Sequence, residues 1–142
     1  FTAEQRSGMD PGLLQIAAEG AAHTAGSYLE AVAQRDALGV AMSRFHERHD
    51  LLLTPTLPIP AFTAGQDVPD GSPRPEWTSW TPFSYPFNLT QQPAASVPCG
   101  FTDAGLPVGL QIVGPKHADA LVLRAAHAYQ RAHPTTDVRP DL

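Results

Sequence analysis

The stretch GLPVGLQIVG, residues 105–114, decides how this chain folds. Val108, Leu110 and Ile112 alternate with glycine and glutamine, which is the period-two pattern of a β-strand. A glycine inside a strand packs nothing, so Gly109 indicates a bulge or a close approach by another backbone or a ligand. The pattern leaves open what lies against this strand.

A second strand-like run, PAASVPCGF, ends just before it at residue 101. The connecting TDAGL places Gly105 where a short hairpin loop needs a positive φ. Pro98 cannot donate to a strand ladder, so it requires a bulge or an edge position. The two runs predict a hairpin over about residues 94–113.

Three helices are predicted around this hairpin. Asp10 followed by proline is typical of an N-cap and a first helical residue, which favours a helix over about residues 11–22. A capping box that starts at Ser27, followed by apolar residues at helical spacing, predicts a long helix over about residues 28–48. The third helix covers about residues 118–133 and ends at a proline.

The middle of the chain has a different character. The apolar run at residues 51–53 predicts a short strand buried on both faces. A loop rich in proline and aromatic residues follows over residues 54–87, and loops of this length are uncommon in compact domains unless they are functional or disordered. Together the elements predict an α/β fold in a single segment, residues 1–142, with few strands flanked by helices.

Composition excludes several classes of function. The net charge is −5, and Lys116 is the only lysine, so the clustered cations that nucleic-acid binding needs are lacking. No apolar run approaches the roughly 20 residues of a membrane span. The single cysteine fits a reducing compartment, and no targeting segment is visible, so we expect a cytoplasmic protein.

Three stretches in order resemble the C-terminal part of the amidase signature family. They are FHERHDLLLTPTLPIPAF at residues 45–62, NLTQQPAASVPCGFTDAGLPVGLQIVG at residues 88–114, and KHADALVL at residues 116–123. The resemblance implies the C-terminal portion of that family's mixed-sheet fold and a parent enzyme that hydrolyses amide C–N bonds. It also implies that the remaining strands of the sheet lie outside this sequence.

The resemblance implies no catalytic residue in this chain. Family members use a serine nucleophile, a second serine on a cis peptide bond and a lysine, all in the earlier half of the protein. Here there is no Gly-Gly pair, no Ser-Ser pair and no Gly-x-Ser-x-Gly elbow, and Lys116 does not lie in the lysine motif of the family. We interpret the chain as a C-terminal fragment whose partner is the missing N-terminal portion of an amidase.

Substrate contacts are predicted in the long loop and the residues after it. Aromatic walls with a few polar groups are typical of small-molecule sites, although the same aromatics could anchor the loop to the domain. By resemblance these residues approach the mouth of the active site, where a small-molecule amide would bind. The predicted substrate-binding residues are Trp77, Trp80, Phe83, Asn88, Thr90 and Gln91. Gln91 stands where the family often has glycine; it either narrows a pocket or is an ordinary variation.

No cofactor and no metal site are predicted. His46 and His49 stand three residues apart at a helix end, but this is not the His-Glu-x-x-His pattern and no third ligand is obvious. Cys99 has no adjacent base or cation, so we interpret it as a core residue rather than a nucleophile.

A second hypothesis makes the chain a non-catalytic binding or scaffold subunit. It would then dock on a separately encoded N-terminal half through an exposed strand edge. The interpretation as a fragment also predicts apolar surface that is uncovered on the isolated chain, so we expect the chain to form homodimers or aggregates.

Overall fold

The computed structural model describes residues 1–72 and 79–134. The helices in chain order are α1 (Ala3–Ser7), α2 (Pro11–Gly20), α3 (Ala25–His46), α4 (Tyr85–Thr90) and α5 (Asp119–Ala132). The strands are β1 (Leu52–Pro55), β2 (Ala94–Phe101) and β3 (Pro107–Val113). No described helix is both long enough and apolar enough to cross a membrane.

The three strands form one antiparallel sheet in the order β1-β3-β2. The glycine-bearing stretch at residues 105–114 supplies β3, which is the central strand and is paired on both sides. Both hydrogen-bonded neighbours of β3 therefore lie within this chain. Within the described residues, only the outer edges of β1 and β2 are unpaired and could bind a further strand.

The predicted hairpin and its irregularity are confirmed. β2 pairs with β3, and the register shifts between Pro98 and Gly100. The proline therefore lies at a bulge on an edge strand. Gly105 has a φ of 78°, and its N–H donates to the carbonyl of Thr102 at 2.8 Å, which closes the loop. A positive φ at this position is what selects glycine.

Helix α5 covers one face of β2 and β3, and the core lies between them. The buried side chains of this cluster are Val97, Ile112, Val122 and Ala126. The prediction that residues 51–53 are buried on both faces is wrong. Leu53 pairs with Ile112 yet is 58% exposed, because α5 lies over the other two strands and leaves β1 uncovered.

Helix α3 begins three residues earlier than the sequence predicts. Thr24, not Ser27, is the N-cap: its hydroxyl accepts from the Ser27 N–H at 3.1 Å, and the Ser27 hydroxyl accepts from the Thr24 N–H at 3.0 Å. This reciprocal capping box satisfies two backbone donors before the predicted start. At the other end the helix stops at His46, and the N–H of His49 donates to the Phe45 carbonyl in a turn.

The other element bounds differ in smaller ways. Asp10 caps α2, accepting from the Leu13 N–H at 3.0 Å, and the helix ends at Gly20 rather than residue 22. The predicted loop over 54–87 ends earlier, because α4 begins at Tyr85 with a proline in its first turn, where no backbone donor is needed. β1 starts at residue 52 and ends at residue 55, slightly later than the predicted 51–53, and α1 was not predicted.

Candidate functional site

The face of the sheet turned away from α5 carries polar side chains. Gln111 is buried, and its Nε2 donates to Thr54 Oγ1 at 2.9 Å and to the Phe83 carbonyl at 3.1 Å. These two bonds tie the central strand to β1 and to the segment that leads into α4. A buried amide without such acceptors would cost free energy, so the contacts fix the path of the chain over the sheet.

A pair of hydroxyl groups lies beside Gln111 on the same face. Thr56 follows β1 and Ser96 lies in β2, so the two residues flank the central strand β3. Their hydroxyl oxygens are 2.7 Å apart. They meet above Gly109, where a Cβ would lie 2.8 Å from Thr56 Oγ1 and 2.9 Å from Ser96 Oγ. The glycine inside β3 therefore marks the close approach of two side chains, one from β2 and one from the residue that follows β1.

The hydroxyl pair opens into a cavity of about 860 Å³, which we call the proline-loop cavity. Its wall is the stretch from Pro55 to Gln66, and its floor includes Ser96, Val108 and Gly109. Trp80 closes one side; its ring meets Phe62 edge to face at 5.0 Å, and its Nε1 donates to the Asp67 carbonyl at 3.2 Å.

A second polar cluster joins α3, α4 and the end of β3. Gln92 Nε2 donates to the Gly114 carbonyl at 3.0 Å and lies 2.8 Å from His46 Nε2. His46 Nδ1 lies 2.9 Å from the His49 carbonyl, which can only accept. The proton is thus on Nδ1, and Nε2 accepts from Gln92. Both ring nitrogens are engaged, so His46 offers no free lone pair to a metal.

The predicted substrate-binding residues do not converge on one site. Trp77 lies outside the described residues. Trp80 lines the proline-loop cavity, whereas the carbonyl of Phe83 is used by Gln111. Asn88 is exposed on α4, and Thr90 is buried, with two acceptors near its hydroxyl: Gln92 Oε1 at 2.7 Å and the Pro86 carbonyl at 2.9 Å.

Thr90 and Gln91 line a different cavity, about 810 Å³ in volume, between α3 and α4. Sequence reasoning missed Thr56, Ser96 and Gly109 as site residues. The signal was present in Gly109, because an interior glycine in a strand indicates a close approach, but the residues that approach it are 53 and 13 positions earlier in the chain.

Gln91 follows the last residue of α4 with φ 58° and ψ 39°, a left-handed conformation. Glycine is the residue that adopts this conformation without a Cβ penalty. This backbone geometry gives a physical reason why a glycine suits the position. The side chain itself is exposed and lines the cavity between α3 and α4.

Replacing Gln91 with glycine is expected to raise the free energy of unfolding by about 1 kcal/mol, because the left-handed strain is relieved. Urea denaturation at low protein concentration measures it. Gln15→Gly, in the interior of α2, is the matched control and should lower stability by about 1 kcal/mol. A loss of stability in Gln91→Gly would show that the side chain makes contacts worth more than the strain.

The described residues present no assembled catalytic group. No cis peptide bond occurs within 1–72 and 79–134. Lys116 is exposed beside the cavity between α3 and α4, and Cys99 Sγ lies 3.4 Å from the Val108 carbonyl. Over the same residues there is no group of three or more histidine, cysteine, aspartate or glutamate side chains that could hold a metal.

Comparison with known sequences gives a consistent picture. Residues 7–123 match the family described as Amidase. An acylamidase of Rhodococcus erythropolis is 36% identical over 140 residues, which is 96% of this chain and 29% of that protein. A glutamyl-tRNA(Gln) amidotransferase subunit of Myxococcus xanthus is 44% identical over 106 residues, 75% of this chain and 21% of that protein.

Solved structures agree. A bacterial aryl acylamidase of the amidase signature family superposes with a TM-score of 0.77 at 29% identity, over 98% of this chain and 31% of that chain. The corresponding glutamyl-tRNA(Gln) amidotransferase subunit of Thermotoga maritima gives 0.71 at 28% identity, over 93% and 30% respectively. The chain thus spans less than a third of the length of these relatives.

Proposed function

The chain belongs to the amidase signature family, and we propose that it works as the C-terminal part of a larger amidase. The larger protein would hydrolyse an amide C–N bond, adding water across it to give an acid and an amine. This part would contribute three strands, the flanking helices and a portion of the substrate-pocket wall. The serines and the lysine of the reaction would come from the rest of the amidase.

The observation that carries the proposal is the exposure of α3. This helix has 22 residues, and none of them is buried. Tyr28, Leu29 and Val40 are all more than half exposed, and α4 is its main contact. A long helix derives most of its stability from tertiary packing, so the exposure of α3 supports the proposal that the rest of an amidase packs against it.

The sheet supports the same proposal. The outer edges of β1 and β2 are unpaired within the described residues, and Leu53 of β1 is exposed because α5 covers only the neighbouring strands on that face. Strand margins and apolar faces of this kind are normally covered or paired. The remainder of an amidase, about 70% of its length by comparison with the relatives, would cover them.

The isolated chain is expected to release no 4-nitroaniline from 4′-nitroacetanilide above the rate without protein, because no group among residues 1–72 and 79–134 is placed to activate a nucleophile. Absorbance at the wavelength of 4-nitroaniline checks this. Turnover that follows the chain through purification and disappears in Ser96→Ala or Lys116→Ala would contradict it.

The proposal covers two genetic arrangements. The remainder of the amidase is either on the same polypeptide or encoded separately, in which case this chain is a docking subunit. The sequence immediately upstream discriminates between them, since a continuous frame with a lysine and a Gly-Ser-rich motif gives one enzyme. Self-association of the isolated chain and a cytoplasmic location stay predictions.

A further inference from the structure

We propose that the proline-loop cavity binds the neutral, apolar part of an amide substrate, with the Thr56–Ser96 pair donating a hydrogen bond to a carbonyl oxygen. The inference rests on the proposed function for the reaction it serves, but the binding can be tested on this chain alone. The volume of about 860 Å³ falls within the range of about 300–1,000 Å³ that small-molecule sites occupy.

The side chains that line the proline-loop cavity determine which chemical class of ligand it favours. The described residues around it include several prolines from the loop and the sheet, two aromatic rings at Phe62 and Trp80, and branched side chains at Ile59 and Val108. None of the described lining residues carries a charge. Such a surface favours aromatic or branched alkyl groups, whose transfer from water is favourable in proportion to the apolar area they bury.

Among the described residues at the floor of the proline-loop cavity, Thr56 and Ser96 bring two hydroxyl groups together at one point. Two hydroxyl groups carry two hydrogens, and the 2.7 Å bond between Thr56 and Ser96 uses one of them. The second hydrogen is left to be donated to a ligand acceptor. Ser96 is exposed toward the cavity rather than packed, so an amide carbonyl can reach it.

This chemistry separates two kinds of substrate. Free glutamine carries an ammonium and a carboxylate, and moving charged groups onto an uncharged apolar wall costs several kcal/mol or more unless they are paired. A neutral aryl or alkyl amide pays no such cost and gains from the apolar contact. The proline-loop cavity therefore fits an uncharged amide and excludes an amino acid.

The test is a titration followed by the indole N–H signal of Trp80 in nitrogen-15 NMR. The chain has two tryptophans, so Trp77→Phe leaves Trp80 as the only indole. Acetanilide is expected to move this signal in a saturable way, whereas L-glutamine at the same concentration leaves it unmoved. No saturable shift with acetanilide in the folded chain, or an equal response to glutamine, would overturn the inference.

Two variant pairs locate the binding. Leu57 lines the cavity, while Leu123 is exposed on α5 away from it, so Leu57→Asp should abolish the acetanilide shift and Leu123→Asp should leave it unchanged. The double variant Thr56→Val with Ser96→Ala should bind acetanilide about tenfold more weakly, which corresponds to the loss of one hydrogen bond. Its affinity for toluene, which has no carbonyl, should be unchanged.

Equal effects of the two aspartate variants would place binding elsewhere and overturn the inference. An equal loss for acetanilide and toluene in the double variant would overturn the role of the hydroxyl pair. Neither outcome bears on the proposed function, which fails separately if the chain cannot join an amidase lacking this segment.

Discussion

Gly114→Ala is expected to lower the free energy of unfolding by about 2–3 kcal/mol, because the added Cβ has no room in a core that is already filled. It would lie 2.6 Å from Cγ2 of Val122, which is 2% exposed and stands in the centre of the α5–sheet contact. Helix α5 would have to move off the sheet or Val122 change rotamer. Urea denaturation monitored by circular dichroism gives the difference.

A double-mutant cycle of Gly114→Ala and Val122→Ala tests whether the steric clash causes the loss of stability. Val122→Ala alone should cost about 2 kcal/mol through the cavity it leaves. If the clash is the cause, the double variant should be less destabilised than the two single variants summed, by about 1 kcal/mol or more. Gly39→Ala is the matched control, because a Cβ there meets nothing within 4 Å. Alanine in this helix interior should raise the free energy of unfolding by about 0.5–1 kcal/mol. Simple additivity in the cycle would contradict the packing explanation.

Gln92→Leu is expected to cost about 2–3 kcal/mol, because it removes the donor to the buried Gly114 carbonyl and the partner of His46 Nε2. Thr90 also loses the acceptor that lies 2.7 Å from its hydroxyl. Since Gln92 joins α3 to the end of β3, the expected result includes increased amide hydrogen exchange in the last turn of α3.

Gln15→Leu serves as the control for that change. It removes an exposed 2.9 Å bond to Glu19 on α2, and such surface changes usually stay within about 0.5 kcal/mol. Equal effects of the two leucine variants would mean that the contact between α3 and β3 contributes nothing to stability.

Local signals in the sequence predicted the hairpin well. The position of Gly105 and the bulge at Pro98 depend on backbone geometry that the residues themselves dictate. The start of α3 was harder, because Thr24 and Ser27 are both good caps and the sequence alone does not say which hydroxyl is used first. The exposure of Leu53 depends on which strands α5 covers, and that is decided by tertiary packing.

The candidate site was less predictable than the fold. Six residues close in sequence were expected to form one substrate surface, but Trp80 faces the proline-loop cavity while Thr90 and Gln91 face the space between α3 and α4. The intervening helix α4 turns the chain between these positions. Thr56 and Ser96 meet only because two strand registers place both side chains over Gly109, and register is a property of the assembled sheet.

Whether this chain completes an amidase can be measured by complementing a truncated relative. The acylamidase of Rhodococcus erythropolis would be made without the 29% of its length that this chain matches, and mixed with this chain or with its own missing segment. The rate of 4′-nitroacetanilide hydrolysis is the readout. Activity from the mixture with this chain, and from neither component alone, is the predicted result. Restoration by the native segment, with no binding and no activity from this chain, would contradict the proposed function.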